Sequence, residues 1–477
     1  MSKRTVFPAQ GSSDGATATS DNRSRSASSQ VFRLIGERSH FETTGGSGAV
    51  DAVAEQLDNA HIDHRPSHHY LDAIPPSVWF SDAVIQFYNC RLVRDQKLVH
   101  EDIYVQHGKI ILPQAWFFDV RKPSDIRIDC HGMILAPGFI DVQINGAYGV
   151  DFSSCTAQEI GPGLAKVAKG LTRHGVTAFC PTFITSEPKT YHELLPLCTR
   201  QKGTATTGAE ILGAHVEGPF ISHQKYGAHP PEFIRSIGGG MADVLETYGS
   251  ASMGNISMVT LAPELDGALD AIPALVERGI IVSLGHSSAD IAKGEAAVAK
   301  GASMITHLFN AMVPFHHRDP GLVGLLATRQ RQVHYGLIVD GMHTHPAAVA
   351  IAYRTNRPSC VLVTDAIAAM GLPPGEYHLG AMRVQIANNK ATVHGTDTLA
   401  GSIATMDQCV KLFKQFAEST IVEAIDAATL HPALMLGIQD RKGVLKSQAD
   451  ADFVFLNDNL DVKATYIAGS LAWSSAW

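Results

Sequence analysis

The sequence predicts an α/β protein: a (β/α)8 barrel of the TIM type, with a small β-sandwich domain built from N- and C-terminal segments. Three observations carry that expectation. Eight apolar runs alternate with segments of helical spacing through the middle of the chain. β-rich segments with polar turns flank that middle on both sides. Ionisable residues close five of the eight runs. A doubly wound open sheet is the alternative arrangement.

Residues 1–75 read as an N-terminal extension that is disordered or weakly ordered. The stretch from Gln10 to Gln30 is rich in Ser, Thr, Ala, Gly and Asp and nearly lacks large apolar side chains. It cannot bury enough surface to offset the entropy of ordering. Lys3, Arg4, Arg23 and Arg25 among serines have a faint targeting character, but Asp14 and Asp21 count against it. Residues 50–75 suit a short helix. Residues 76–136 and 443–477 together read as the small β-domain. VWFSDAVIQF, RLVRDQKLVHEDIYVQHGKIIL and RIDCHGMILAPG carry short β-branched runs broken at HGK and HGM, and KGVLKSQADADFVFLNDNL and KATYIAGSLAW repeat that texture.

Residues 137–442 read as the barrel. Its apolar runs lie at 133–144, 176–185, 211–221, 257–263, 280–286, 303–312, 334–343 and 360–366. Strands buried on both faces read as continuous apolar runs, as these do. IGPGLAKVAKGLTRHG and ALDAIPALVERG have the helical spacing expected of connections between them. A β-like segment near 372–398 reads as an insertion after the eighth strand.

Composition excludes several classes. Hydrophobic residues make up 45%, enough for a sizeable core, and charged residues only 18%, too few for a coiled coil or a globally disordered chain. With 38 basic and 46 acidic residues the net charge is −8. Such a chain has no global attraction for nucleic acid or anionic membranes. A local basic pocket for one small anion remains compatible with it. Seven cysteines, an odd count with no CxxC pair, point to a reducing, cytoplasmic setting. No apolar run reaches the ~18–20 residues of a membrane span, and the N-terminus shows no secretory h-region.

In such a barrel the active site lies at the C-terminal ends of the strands. There the sequence places His215-Val216-Glu217, Gly285-His286-Ser287, Thr306-His307-Leu308-Phe309-Asn310, Asp340-Gly341-Met342-His343 and Thr364-Asp365-Ala366. Burying so many polar groups costs several kcal/mol unless each is paired or bound to a metal. Glu217, His286 and His307 offer one carboxylate and two imidazoles, a set that suits Zn²⁺, with Fe²⁺, Co²⁺ or Mn²⁺ as alternatives. A hydrogen-bonded polar cluster without metal is the other reading. Thr306, Ser287 and Asp340 read as residues that orient the reactive groups. His174, His334 and His431 fall outside the strand-end pattern and read as structural.

HVEGPF, LGHS, THLFNAM, DGMH and LVTDA occur in this order, with PGFIDVQINGAYGVDF and HRDPGLVG beside them. From about residue 78 to the C-terminus the chain resembles the N-acetylglucosamine-6-phosphate deacetylase family of the amidohydrolase superfamily. The resemblance implies hydrolysis of the acetamide of N-acetyl-D-glucosamine 6-phosphate, in amino-sugar catabolism, by a homodimer. It makes Glu217, His286 and His307 the metal ligands and Asp365 the catalytic acid/base, and it places His343 near the amide carbonyl. Ala228 with His229, Asn310 with Ala311, Arg318, and Leu399, Ala400 and Gly401 match positions that bind substrate. Arg318 is the phosphate-binding arginine by this match, with His229 beside it in a cationic clamp.

Many relatives in that superfamily hold two metals through His-x-His at the end of the first strand. Here Gln143 and Asn145 occupy that place, and SMVTLAPE offers no lysine on the fourth strand. An amide oxygen is a poor ligand for a first-row metal, so one divalent ion per subunit is expected. A hydrolase of cyclic amides such as hydantoins is the competing enzyme reading, and a barrel without activity is the third. The missing His-x-His and lysine count against the former. The full set of reactive groups counts against the latter.

Overall fold

The computed structural model describes residues 68–69, 82–112, 123–380, 382–387 and 390–475. The expected disordered extension and short helix lie outside the described residues, apart from the two-residue strand His68–His69, which pairs with Arg127 and Ile128.

Eight parallel strands build the barrel: β1 (Phe139–Ile144), β2 (Val176–Ile184), β3 (Ala214–Glu217), β4 (Ile256–Leu261), β5 (Ile281–Leu284), β6 (Met304–Ile305), β7 (His334–Leu337) and β8 (Cys360–Leu362). Each pairs with the next in chain order. Beyond β8 the ring closes onto β1. The Asp365 N–H donates to the Gln143 carbonyl at 2.8 Å and the Asn145 N–H to the Ala366 carbonyl at 2.7 Å. Every residue of β1 and β2 is buried, as strands covered on both faces require.

Helices α1 (Ile160–Leu171), α2 (Pro188–Leu194), α3 (Met241–Tyr248), α4 (Ala268–Glu277) and α5 (Ile291–Lys300) follow β1 to β5 in turn. A 3-10 helix, Gly321–Ala327, takes that place after β6, and α6 (Pro346–Thr355) and α7 (Met406–Ala417) follow β7 and β8. α1 buries Ile160, Leu164, Val167, Ala168 and Leu171, the stripe that a 3.6-residue period puts on one face. Asp290 caps α5 by accepting the Lys293 N–H at 2.8 Å, satisfying one of the free donors of a helix N-terminus. The segment after β8 is a three-stranded antiparallel sheet, Gly375–Leu379, Met382–Ala387 and Lys390–Val393, as the β-like insertion predicts.

Two expected runs are divided. The run 133–144 is two strands in two sheets. Ile134–Pro137 pairs antiparallel with Phe453–Leu456, and the barrel strand begins at Phe139. The break is Gly138, where a Cβ would lie 2.1 Å from Thr177 Oγ1, so only glycine fits that close approach. In the run 303–312 only Met304–Ile305 is strand, because His307, Phe309 and Ala311 all take positive φ and turn the chain out of the sheet.

Described segments on either side of the barrel in the chain build the β-sandwich. One sheet holds Ile126–Asp129, Ile85–Tyr88, Ile103–Gln106 and Lys109–Ile111. The other runs Ser470–Ser474, Val462–Ile467, Phe453–Leu456, Ile134–Pro137, Arg91–Arg94 and Lys97–His100. Phe87 of the first packs edge-on against Phe453 and Tyr466 of the second, with centroids at 4.9 and 5.3 Å. A charge network centred on the buried Lys442 and Glu210 ties this unit to the barrel. Arg441 and Lys442 bind Glu210 beside β2, and both also reach Asp450, which receives Lys109 of the first sheet at 2.6 Å.

Candidate metal centre and active site

Strand alternation sets the site. On β3, His215 and Glu217 are two apart and share a face, as do Gln143 on β1 and Asn145 two residues on, on the chain leaving it. His286, His307 and Asp365 follow β5, β6 and β8, each with positive φ (46°, 27° and 49°). Left-handed backbone at non-glycine residues is strained and persists where surrounding structure enforces it. Here it turns three side chains towards one point.

That point is a tight triangle. Glu217 Oε1 lies 3.2 Å from His286 Nε2 and 2.9 Å from His307 Nε2, and the two nitrogens are 3.0 Å apart. The three are the one group of His, Cys, Asp or Glu side chains among the described residues arranged to hold a metal, and all are buried. His286 donates Nδ1–H to the Lys225 carbonyl at 2.9 Å, so its Nε2 presents a lone pair to the centre. A second ring nitrogen at 3.0 Å from that lone pair needs a proton or a cation between them. A divalent ion fits this donor set, because a triangle of this size has a point ~2 Å from all three corners, the usual Zn–N and Zn–O distance.

The first strand supplies amides around the triangle. Gln143 Nε2 donates to Glu217 Oε1 at 3.1 Å and to Asp365 Oδ1 at 3.2 Å, and Asn145 Nδ2 donates to Asp365 Oδ1 at 2.7 Å. Burial and the neighbouring Glu217 charge push the Asp365 carboxyl up to about 6, against the pull of His307, His343 and Asn145. Burial also acts to raise Glu217, but the bonds from His286 and His307 outweigh it and hold that carboxyl well below its usual range. For His307 burial favours the neutral ring, and the Glu217 bond reverses this and raises it. Asp141, two residues before Gln143, accepts the Thr364 hydroxyl at 2.6 Å and is pushed by burial up to about 7.

Asp340 orients His343. Its Oδ2 lies 2.7 Å from His343 Nδ1, and its Oδ1 accepts the backbone N–H groups of Met342 and His343 at 2.8 Å each. Ser287 donates to Glu264 Oε2 at 2.7 Å, pinning the loop after His286. Thr306 touches no reactive group. It belongs to a hydroxyl chain with Thr260 and Ser283 (2.7 and 2.6 Å) that ends on His215. His174 pairs with Asp407 and His431 with the Cys360 carbonyl, away from the triangle, and neither they nor His334 lines the site.

A cavity of about 190 Å³ opens over these groups. It brings together most of the sequence-predicted set: Glu217, Ala228, His229, His286, His307, Asn310, Ala311, His343, Asp365, Leu399 and Gly401 all line it. Ala400 is buried behind it, in the apolar cluster under the inserted sheet. Arg318 is not brought in. It stands exposed on the loop after β6, with the exposed His316 and His317 beside it. The expected clamp of Arg318 with a cationic His229 is therefore absent from the cavity of this chain. His229 is buried 4.3 Å from the His286 ring, and that burial holds it well below the ordinary histidine value.

Sequence reasoning missed three contributors. Asn145 drew notice only as a missing histidine, and Glu264 only as a missing lysine. Thr185 closes the second apolar run as a polar strand-end residue, the signal that could have found it.

The family model that matches the chain is described as the amidohydrolase family and covers residues 134–472. A zebrafish (Danio rerio) N-acetylglucosamine-6-phosphate deacetylase is 53% identical over 406 residues, 84% of this chain and 100% of the relative. The Homo sapiens enzyme of that name is 52% identical, covering 82% of this chain and 96% of the relative. Among solved structures, a mutant N-acetyl-D-glucosamine-6-phosphate deacetylase from Mycobacterium smegmatis, in complex with N-acetyl-D-glucosamine-6-phosphate, superposes with a TM-score of 0.71 at 30% identity, over 83% of this chain and 100% of that one. The chain belongs to the amidohydrolase family and, within it, to the N-acetylglucosamine-6-phosphate deacetylases.

Proposed function

We propose that the cavity hydrolyses the acetamide of N-acetyl-D-glucosamine 6-phosphate to D-glucosamine 6-phosphate and acetate. The observation that carries this reading is the placement of Asp365: a carboxyl raised by burial to about 6, fixed by two amides, beside a buried carboxylate–imidazole triangle at the floor of the cavity. Glu217, His286 and His307 would hold one divalent ion, for which Zn²⁺ suits the donors best. Such an ion supplies Lewis acidity, making water a nucleophile at neutral pH and polarising an acyl oxygen.

The side chains supply the rest. Asn145 and Gln143 occupy Asp365 Oδ1 and leave Oδ2 for the proton. Asp365 takes that proton from the attacking water and delivers it to the departing amine nitrogen, help commonly worth about 10²–10⁴ in rate. His343, braced by Asp340, turns its other ring edge to the oxygen that gains charge on the acyl carbon. Ala228, His229, Asn310, Ala311, Leu399 and Gly401 surround the sugar, with Ala400 behind them. Arg318 serves the phosphate from outside this cavity, which is met if the protein is a homodimer and the arginine reaches a neighbouring subunit. Cytoplasmic residence accords with seven free cysteines, and among the described residues no helix is long and apolar enough to cross a membrane.

The experiment is acetate release by the purified protein from the phosphorylated and unphosphorylated sugars. The reading requires release with strong preference for the phosphate. No release from the phosphorylated sugar by the metal-loaded protein would overturn it.

A further inference from the structure

The end of β2 makes a rigid shelf against the cavity wall. The Ile184 carbonyl accepts the Tyr191 hydroxyl at 2.9 Å and the Ser186 hydroxyl at 3.0 Å, and the Ser186 N–H donates back to Tyr191 at 3.0 Å. Between them sits Thr185, itself buried. Its hydroxyl lies 2.8 Å from His229 Nδ1, and its backbone N–H donates to the same nitrogen at 3.4 Å.

A backbone N–H can only donate. His229 Nδ1 is therefore the accepting nitrogen, and the Thr185 hydroxyl must donate to it as well. In the uncharged ring the proton then resides on Nε2. With Nδ1 turned to the shelf and the ring among the residues lining the cavity, Nε2–H is the donor left for the ligand space. The opposite constraint comes from His286, whose ring lies 4.3 Å away at 49° and stops the imidazole from swinging. Room for the hydroxyl is made by Gly218, where a Cβ would stand 2.1 Å from Thr185 Oγ1. The glycine after the ligand Glu217 thus has a task at this contact.

We propose that Thr185 is a positioning residue that sets the ring orientation and tautomer of His229, so that an Nε2–H donor is presented to an oxygen of the sugar phosphate. The inference rests on the reading of His229 as a substrate-binding group. It assigns substrate recognition at this point to an oriented hydrogen-bond donor in place of a cation. Without the hydroxyl, Nδ1 keeps only the longer backbone bond, and the other tautomer, which turns a lone pair towards the substrate oxygen, gains population.

The test compares Thr185→Val, Thr185→Ser, His229→Ala and the Thr185→Val/His229→Ala double variant, each metal-loaded, by steady-state acetate release and metal content. Thr185→Val is expected to raise KM about tenfold, the scale of one lost oriented hydrogen bond, with kcat within about twofold and metal content unchanged. Thr185→Ser restores native KM. In the His229→Ala background, Thr185→Val adds nothing further. If Thr185→Val fails to fold, Thr185→Ala removes the same hydroxyl without added bulk. A native KM for Thr185→Val beside a raised KM for His229→Ala overturns the role of Thr185 alone. So does an undiminished effect in the double variant. A native KM for His229→Ala overturns the underlying reading of His229.

Discussion

Asn145, on the chain leaving the first strand of the barrel, and Asp365, just past the eighth, meet across the closing seam, the amide donating to the carboxylate at 2.7 Å. The ring has to close in register for this bond to form, so the chemistry at Asp365 depends on the barrel as a whole. Asp365→Asn should abolish turnover while leaving metal and sugar-phosphate binding intact. Asn145→Leu should lower kcat by about 10–100-fold through loss of the bond that orients Asp365, with metal content unchanged. Acetate release and metal analysis check both, and near-native turnover in Asp365→Asn would remove it as the acid/base.

Gln143 Nε2 points its hydrogens at Glu217 and Asp365. That leaves only its amide oxygen for a cation, a poor ligand for a first-row metal. The purified protein should therefore contain close to one divalent ion per chain. A chelator should abolish activity, and one equivalent of Zn²⁺ should restore it. His307→Ala should lose both ion and activity. Two tightly held ions per chain, found by mass spectrometry, would contradict the single site.

Arg318 is exposed and clear of the cavity of its own chain. If it reaches the phosphate in a neighbouring subunit, Arg318→Ala should cut the preference for the 6-phosphate by about tenfold or more, since a charged hydrogen bond to phosphate contributes roughly 1.5–3 kcal/mol. The unphosphorylated sugar should be turned over as before. Kinetics on both sugars, with sedimentation to define the assembly, decide this. An unchanged preference would free Arg318 from that role.

Burial acts to raise the Asp450 carboxyl, but the Lys109 bond and the charges of Lys442 and Lys202 overcome it and bring it down to about 2. An unfolded chain titrates this group near 3.9. The native state therefore binds fewer protons in that window. The resulting stability is complete above pH ~4 and is lost as pH falls towards ~2. Asp450→Asn should lose about 1–3 kcal/mol at pH 7 in urea unfolding, and the deficit should narrow as pH falls from about 4 towards 2. A deficit independent of pH would mean that charge is not its source.

Much of the site could be read from the sequence. The motif residues Glu217, His286, His307, His343 and Asp365 follow apolar runs, and parallel strands bring the C-terminal ends of such runs to one rim. What spacing could not convey was which strand-end polar groups turn inward. Thr306 and Asn145 are both polar and both buried, yet one ends in a hydroxyl chain with Thr260 and Ser283 and the other holds the Asp365 carboxylate.

The sequence by itself determined the alternation of strands and helices, the flanking β-segments and the inventory of ligands, because burial pattern and residue chemistry are local properties. Only the tertiary structure decided where one apolar run splits between two sheets at Gly138, that Arg318 stays outside its own cavity, and that Thr185 grips His229. Those outcomes turn on close approaches between residues as much as 44 positions apart. Such approaches are settled by how strands register and loops pack, which no reading along a single chain contains.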